Sequence, residues 1–278
     1  MRTNSDFARA RELTINLTLR ELRGRYKRSV LGWAWSMLNP LATVAIFGFV
    51  FSRFLRVGPP VGDPSGVHNF AAWLVCGILF WNFFAAGLTG GMGSIVANEG
   101  LVKKVYFPRE ALVISAVASA VVTLAIEVAV VSFVLLLFGN VVFLWLPVVA
   151  GLVLIQAAFA LGLGLLLSVI NVQYRDMTYL VGILLQAWFY ATPVVYPIGI
   201  IDQNGVQTIG LFGHDVRITT ILEINPMTRF VECYRDLLYD LRFPPLGDVL
   251  YVTAVSAVVL AIGWTVFNRR EPYLAEEM

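Results

Sequence analysis

Charge is scarce in this chain: only 14% of its 278 residues are Asp, Glu, Lys or Arg, where an ordinary soluble domain carries about 25%. With 58% hydrophobic residues and a mean hydropathy of +0.77, that scarcity excludes a soluble fold and requires an integral membrane protein. Cysteine is scarcer still. Cys76 and Cys233 lie far apart with no metal-ligand spacing, so two unpaired thiols are expected. His68 and His214 sit in separate loops and read as ordinary loop residues. No glycine-rich loop ending in Gly-Lys-Ser/Thr occurs, so the chain cannot hold ATP in a P-loop. No nucleophile stands near a base, and no cofactor, metal or nucleic-acid partner is expected. Nor does the N-terminus read as a cleavable signal peptide, because a long, polar, basic segment precedes the first apolar run.

What is present is a series of apolar runs. A membrane-crossing helix needs about 20 apolar residues, and six runs qualify: 33–53, 69–93, 110–138, 143–170, 178–197 and 249–268. The expected fold is all-α integral membrane, with six transmembrane helices, an N-terminal amphipathic interface helix and short re-entrant helices between spans 5 and 6. Trp33 and Trp35 anchor the start of span 1 at an interface, and Pro40 kinks it. Gly87, Gly90, Gly91 and Gly93 in span 2, and Gly162 and Gly164 in span 4, allow close helix approach, while Gln156 and Gln186 read as interhelical hydrogen-bond glue. Residues 198–248 form an extracytoplasmic loop too broken for a span. Its second half reads as two short helices separated near Asn225-Pro226, which dip in and return where protein surrounds them. No strong internal repeat is visible, which argues against inverted-repeat transporters.

Residues 1–32 divide from a six-span transmembrane domain 33–278. A helix over 6–28 puts Ala8, Ile15, Leu19, Leu22 and Tyr26 on one stripe, with polar and basic residues beside it, as a helix lying on anionic lipid would. Leu13 and Leu17 fall off the stripe and are free to touch the rest of the protein. Most Lys and Arg residues fall in the N-terminal segment, the 96–110 loop, Arg175 and the tail, which places both termini in the cytoplasm.

The 96–110 loop is the most informative stretch. It is a short charged interruption carrying Glu99, Lys103, Lys104, Arg109 and Glu110. A helix over 96–108 would pack Leu101, Val105 and Phe107 on one side and present the lysines on another, with Pro108 opening the next helix. A structured, charged loop of this kind suits a soluble partner that grips it. Glu127 is the one clear acid deep in a span; it faces a channel or subunit interface, or is kept protonated or hydrogen-bonded structurally. Trp81, Phe83 and Phe84 in span 2, with Trp188, Phe189, Tyr190 and Tyr196 in span 5, either present rings to a conduit for a sugar polymer or form an interface belt. Arg175-Asp176 orders a tight turn or touches the partner.

Together these stretches resemble the permease subunit of type 2 ABC exporters for cell-surface polysaccharides, the Wzm-like and teichoic-acid exporter group. The resemblance covers essentially the whole chain. It rests on Arg25-Tyr26-Lys27-Arg28 through Trp33-Ala34-Trp35 and Leu38-Asn39-Pro40, on Phe80-Trp81-Asn82-Phe83-Phe84, and on Val102-Lys103-Lys104-Val105-Tyr106-Phe107-Pro108-Arg109-Glu110. It continues with Tyr174-Arg175-Asp176, Thr192-Pro193-Val194-Val195-Tyr196-Pro197, and Asn225-Pro226-Met227-Thr228 with Arg235. It implies a homodimer in the bacterial inner (plasma) membrane, served by two cytoplasmic ABC ATPase subunits that hold the ATP and Mg. It assigns Glu99, Leu101, Lys103, Lys104, Tyr106, Phe107, Pro108 and Arg109 to coupling and gating. Asn225, Pro226, Arg229 and Arg235 close the outer mouth. The expected cargo is a polyprenyl-diphosphate-linked polysaccharide; Arg23, Arg25, Lys27, Arg28 and Trp33 meet either its diphosphate or bulk anionic membrane lipid. The Ala/Val-rich spans point to a high-GC bacterium, and an actinobacterial galactan exporter is the specific expectation. Two features depart from the family pattern: Ala111-Leu112-Val113 stands where a second proline is expected, and 198–222 matches nothing. The rivals are a type 2 ABC exporter of drugs or lipids and, less well supported, a membrane glycosyltransferase, which would need convergent acids near a membrane face. An ion channel lacks any filter-like sequence.

Overall fold

A computed structural model describes residues 4–25, 32, 34–50, 61–105, 107–137, 139–198, 208–211 and 214–274. The helices are α1 Asn4–Arg25, α2 Ala34–Phe49, α3 Phe70–Ala97, α4 Glu99–Lys104, α5 Glu110–Leu137, α6 Leu146–Gln173 and α7 Met177–Tyr190. A two-stranded antiparallel hairpin comes next, β1 Thr208–Leu211 with β2 His214–Arg217, in the register Thr208 to Arg217. Then come α8 Ile218–Ile224, α9 Pro226–Arg235 with a π turn over Asp236–Asp240, and α10 Leu246–Arg270. The hairpin qualifies the all-α expectation and lies within the stretch 198–222 that matched nothing.

Among the described residues, four helices, α3, α5, α6 and α10, are long and apolar enough to cross a membrane. At 28 residues, α3, α5 and α6 each extend about 42 Å, more than a hydrocarbon core of about 30 Å. Among the described residues, the helices of the other two expected spans have 16 residues in α2 and 14 in α7. Span 5 was expected to run to 197, but its helix stops at Tyr190. The reason is local, because Thr192 precedes Pro193 and is thereby disfavoured in helical geometry. Residues 51–53 of the expected span 1 lie outside the described residues.

α3 is the central helix, packed between α5 and α6, and α10 packs along α6. Asn69 starts α3 by accepting from Ala71 N–H at 2.9 Å and Ala72 N–H at 3.2 Å, a side-chain N-cap. The layers are thin where they touch. A methyl on Gly91 would lie 3.4 Å from the Gly164 Cα, and one on Gly162 would lie 2.6 Å from the Leu260 backbone nitrogen. Gly162 and Gly263 therefore let α6 and α10 cross backbone to backbone, as small residues do in lipid.

The bundle has two distinct ends. At the basic end, Leu17 of α1, Ile95 of α3, Val102 of α4, Val172 of α6, Phe267 of α10 and Leu274 just beyond it share one buried cluster. At the opposite end, α9 sits inside the bundle against α3, α6 and α10. Its Tyr234 ring stacks on Phe80 with centroids 3.4 Å apart, and Phe80 lies about 15 Å along α3 from its first residue. The pair of short helices is broken at Asn225-Pro226 and begins and ends at the same end of the bundle. The π turn beyond α9 is tied back by Asn140, which donates to the carbonyls of Leu238 at 2.9 Å and Tyr239 at 3.0 Å.

The N-terminal helix differs from its expected stripe. Leu17 and Leu22 are buried and Leu13 is partly so. Ile15 and Leu19 are 47% and 42% exposed. The off-stripe leucines grip the protein, and the exposed pair faces outward among Arg11, Arg20 and Arg23.

The glycine crossing generates a stability prediction. Gly162→Val forces α6 from α10 and should cost about 1–3 kcal/mol or more, lowering the melting temperature in detergent. Gly182→Ala, where nothing lies within 4 Å of the added methyl, should melt at or slightly above the parent. Equal melting of Gly162→Val and parent would contradict the close crossing.

Candidate functional site

The first candidate region is the connection between α3 and α5. α3 runs on to Ala97, so the separate helix α4 has only six residues, narrower than the expected 96–108. Within it Lys103 donates to Glu99 at 2.6 Å, and this hydrogen bond holds the exposed Glu99 carboxyl below its usual range. Arg175, in the turn between α6 and α7, lies 3.9 Å from the other Glu99 oxygen. Arg20 of α1 donates to Asn98 at 2.5 Å. Past Val105, the Arg109 backbone N–H donates to the Glu271 carboxylate at 3.1 Å, and the Arg109 guanidinium donates to the Glu271 backbone carbonyl.

Exposed ion pairs are worth about 0–1 kcal/mol each, so they orient the loop rather than hold it. The holding comes from Val102, 3% exposed in the cluster with Leu17, Val172 and Leu274. Leu101 and Phe107 pack at the edge of that cluster as expected. Val105 does not: it is 52% exposed, because the helix ends at Lys104 and the chain turns extended at Val105. The inward position belongs to Val102. The outward surface is then Lys103, Lys104 and Val105, two cations beside an apolar side chain. Pro108 is half-buried. Displacing this surface would act on α1, the α6–α7 turn and the end of α10 together. Tyr106, Lys27, Arg28 and Trp33 lie outside the described residues. Arg23 is exposed on α1, and Arg25 is its last residue.

The second region is where α7 stops. A helix that ends inside an apolar bundle leaves carbonyl oxygens unsatisfied. Asn225 takes up this end. It donates to Ala191 O at 3.2 Å and Thr192 Oγ1 at 2.9 Å, and accepts from Trp188 Nε1 at 2.8 Å. The same amide oxygen accepts from Met227 N–H at 3.0 Å, capping α9, and Pro226 fills the first helical position. Arg235, 2% exposed, continues the work. It donates to Pro193 O at 2.8 Å, Val194 O at 2.7 Å and the Glu232 carboxylate at 2.7 Å. Its guanidinium lies 3.5 Å from the Trp73 ring centroid. Gly77 makes the room, since a methyl there would lie 2.9 Å from Arg235 Nη2. Arg229, by contrast, is at the rim, 2.7 Å from Asp248.

The two aromatic runs meet, but within the interior of the chain itself. Trp81 is 5% exposed, Phe83 3% and Phe84 0%. Phe84 packs on Trp188 at 5.2 Å and on Phe159 at 5.4 Å, and Trp81 packs on Phe189 at 5.5 Å. Rings without surface cannot touch a polymer in this conformation, so both the conduit and the belt readings give way for Trp81, Phe83 and Phe84. They form instead the core that seats α7 and α9 on α3. Trp188, Phe189 and Tyr196 are partly buried, and Tyr190 alone of the seven is exposed, at 61%. Glu127 is half-buried on α5, away from both regions described here. Gln156 is hydrogen-bond glue as expected: it donates to Phe80 O at 3.1 Å and accepts from Tyr234 Oη at 2.9 Å. Both cysteines are free and buried.

Four functional positions escaped the sequence reading: Asn98, Asn140, Trp73 and Glu271. Asn140 follows Gly139 in a turn, and nothing in the sequence there announces its two carbonyl partners nearly a hundred residues on. Glu271 directly follows two arginines, and the sequence gives no sign that it meets Arg109 instead.

Comparison with known proteins converges on one group. The family model described as ABC-2 type transporter matches residues 12–239. The O-antigen export system permease protein RfbA of Myxococcus xanthus is 30% identical over 275 residues, covering 96% of each chain. RfbA of Klebsiella pneumoniae is 27% identical over 271 residues, covering 95% of this chain and 94% of the relative. The polysialic acid transport protein KpsM of Escherichia coli is 23% identical over 263 residues, covering 92% of each.

Arg235 generates the prediction for this region. Arg235→Ala leaves two buried carbonyls unpaired and should cost about 2–4 kcal/mol, read as a lower melting temperature. Arg235→Lys should rescue little, because one ammonium cannot reproduce the forked guanidinium. A lysine variant melting with the parent would show that charge alone suffices.

Proposed function

The chain belongs to the ABC-2 type transporter family as a permease of the polysaccharide-exporting kind, and from that membership we propose that it carries a lipid-linked polysaccharide from the cytoplasm to the outer face of the plasma membrane. The path is a channel between two copies, powered by two copies of a separate cytoplasmic ATPase. The observation that carries this reading is the anchoring of the α3–α5 connection to three other elements at the basic end. Its exposed face of Lys103, Lys104 and Val105 is a handle with no use unless something outside the membrane moves it.

In this reading the basic end is cytoplasmic. α1 lies on the membrane surface, with Ile15 and Leu19 toward lipid. Arg23, Arg25, Lys27 and Arg28 attract phosphate, whether of the polyprenyl diphosphate or of anionic lipid. The second copy covers the apolar faces that one protomer leaves open on its two short helices: Ile46 and Phe49 of α2, each 60% exposed, and Tyr179 and Ile183 of α7, 79% and 66% exposed. ATP-driven movement of α4 passes through Val102 to α1 and α5, and through Arg109–Glu271 to α10. At the outer end, α9 beneath the broken end of α7 is the closure. It opens by separating Asn225 and Arg235 from the 188–194 segment.

The test is co-purification with each candidate ATPase, followed by ATP turnover with and without lipid-linked polymer. The parent should form a stable two-plus-two complex stimulated by polymer. Lys103→Glu with Lys104→Glu should reduce that stimulation by about tenfold, a loss of about 1.4 kcal/mol of coupling. Arg109→Ala should keep the complex and lower the stimulation by a smaller factor, since only the link to α10 is cut. If no ATPase associates, the exporter reading fails.

A further inference from the structure

We propose that the rim pocket between α8, α9 and the start of α10 binds the headgroup of a phospholipid carrying a primary ammonium, of the phosphatidylethanolamine type. The proposal stands apart from what the chain exports. The pocket is a cavity of about 320 Å³ lined by Thr220, Glu223, Ile224, Arg229, Asp248 and Tyr251. Its chemistry is divided. Arg229 donates from Nε to the Glu223 backbone carbonyl at 3.0 Å and from Nη1 to the Asp248 carboxylate at 2.7 Å, and its Nη2 stands 3.5 Å from the Glu223 carboxylate. A guanidinium has five N–H donors, so donors remain for a phosphate. The two carboxylates outnumber the one guanidinium, and the Glu223 side chain is 51% exposed. The pocket therefore carries net negative charge and favours a ligand that brings a cation as well as a phosphate.

The apolar surface around the cavity fits the rest of such a lipid. Ile224 at 65% and Leu246 and Leu250, each at 68%, are exposed around the cavity. From there Leu246, Leu250, Ala254, Val258 and Ile262 are exposed at spacings of four along α10, a continuous slanting ridge that rises about 24 Å along the helix axis, the length of an acyl chain. A charged recess with an apolar collar, opening on an apolar stripe, matches a lipid end to end. A primary ammonium donates hydrogen bonds to Glu223 and Asp248. A choline headgroup has the charge but no donor, and a phosphatidylglycerol headgroup donates only from neutral hydroxyls, has no cation and adds repulsion.

The full-length chain, purified in detergent, would be given dioleoyl phosphatidylethanolamine, phosphatidylcholine or phosphatidylglycerol, and retained lipid counted by native mass spectrometry. Phosphatidylethanolamine should be retained about tenfold over the other two, and the preference should fall several-fold in Asp248→Asn and in Glu223→Gln. Asp248→Asn removes a partner of Arg229 and is open to loss of folding, so the exposed Glu223→Gln, with its melting temperature as control, carries the comparison. Equal retention of the three lipids, or a preference unchanged in Glu223→Gln, would overturn the assignment. So would a change of oligomeric state in Glu223→Gln without loss of lipid, which would give the pocket to a second copy.

Discussion

A backbone break inside an apolar bundle has no water to satisfy it, and the opposite end of this protein is organised around one such break. α7 stops at Tyr190, and the carbonyls of Ala191, Pro193 and Val194 are taken by Asn225 and Arg235. Both donors come from a segment that must itself be brought to that depth. Hence Asn225-Pro226 starts a new helix at the break, Gly77 yields space to a guanidinium, and Trp73 covers it. Trp81, Phe84, Phe159 and Trp188 then pack as a floor under the junction. Remove Arg235 and each of these arrangements loses its purpose.

The middle of the bundle is built differently. α3, α6 and α10 meet at glycines, with backbone against backbone and little side chain to rearrange. Such contacts have one good geometry, so the central layer is suited to move as a block. The two ends are made of replaceable contacts: exposed ion pairs and a small apolar cluster at the basic end, and side-chain-to-carbonyl hydrogen bonds at the other. On the proposed function, motion entering at α4 would have a stiff body to act on and a polar junction to release.

Much of this was legible in the sequence. The long spans were, because 28-residue apolar helices outrun any soluble alternative. Gly162 and Gly164 as packing points, Gln156 as glue and the break at Asn225-Pro226 were legible from residue type alone. The end of α7 was not, because Ala191 through Pro197 is as apolar as the helix before it and composition does not distinguish helix from turn. The outward turn of Val105 was hidden for the same reason, a valine in a helical pattern that ends one residue earlier. The aromatic runs were misjudged because ring content says nothing of which face is covered. Phe159 and Trp188, from helices far off in sequence, pack on Phe84 and make it interior. The hairpin over 208–217 had no alternating pattern strong enough to read.

The central claim is that the junction of α7 and α9 is a closure that opens when α4 is driven. Cys76 and Cys233 are both fully buried beside that junction and report on it without any engineered label. The measurement is their modification by a membrane-impermeant maleimide added at the outer face, in the complex with its ATPase, before and during ATP turnover. The account predicts slow labelling at rest, labelling about tenfold faster or more during turnover, and no acceleration in the Lys103→Glu, Lys104→Glu variant. Labelling at one unchanging rate, with or without ATP, would contradict it.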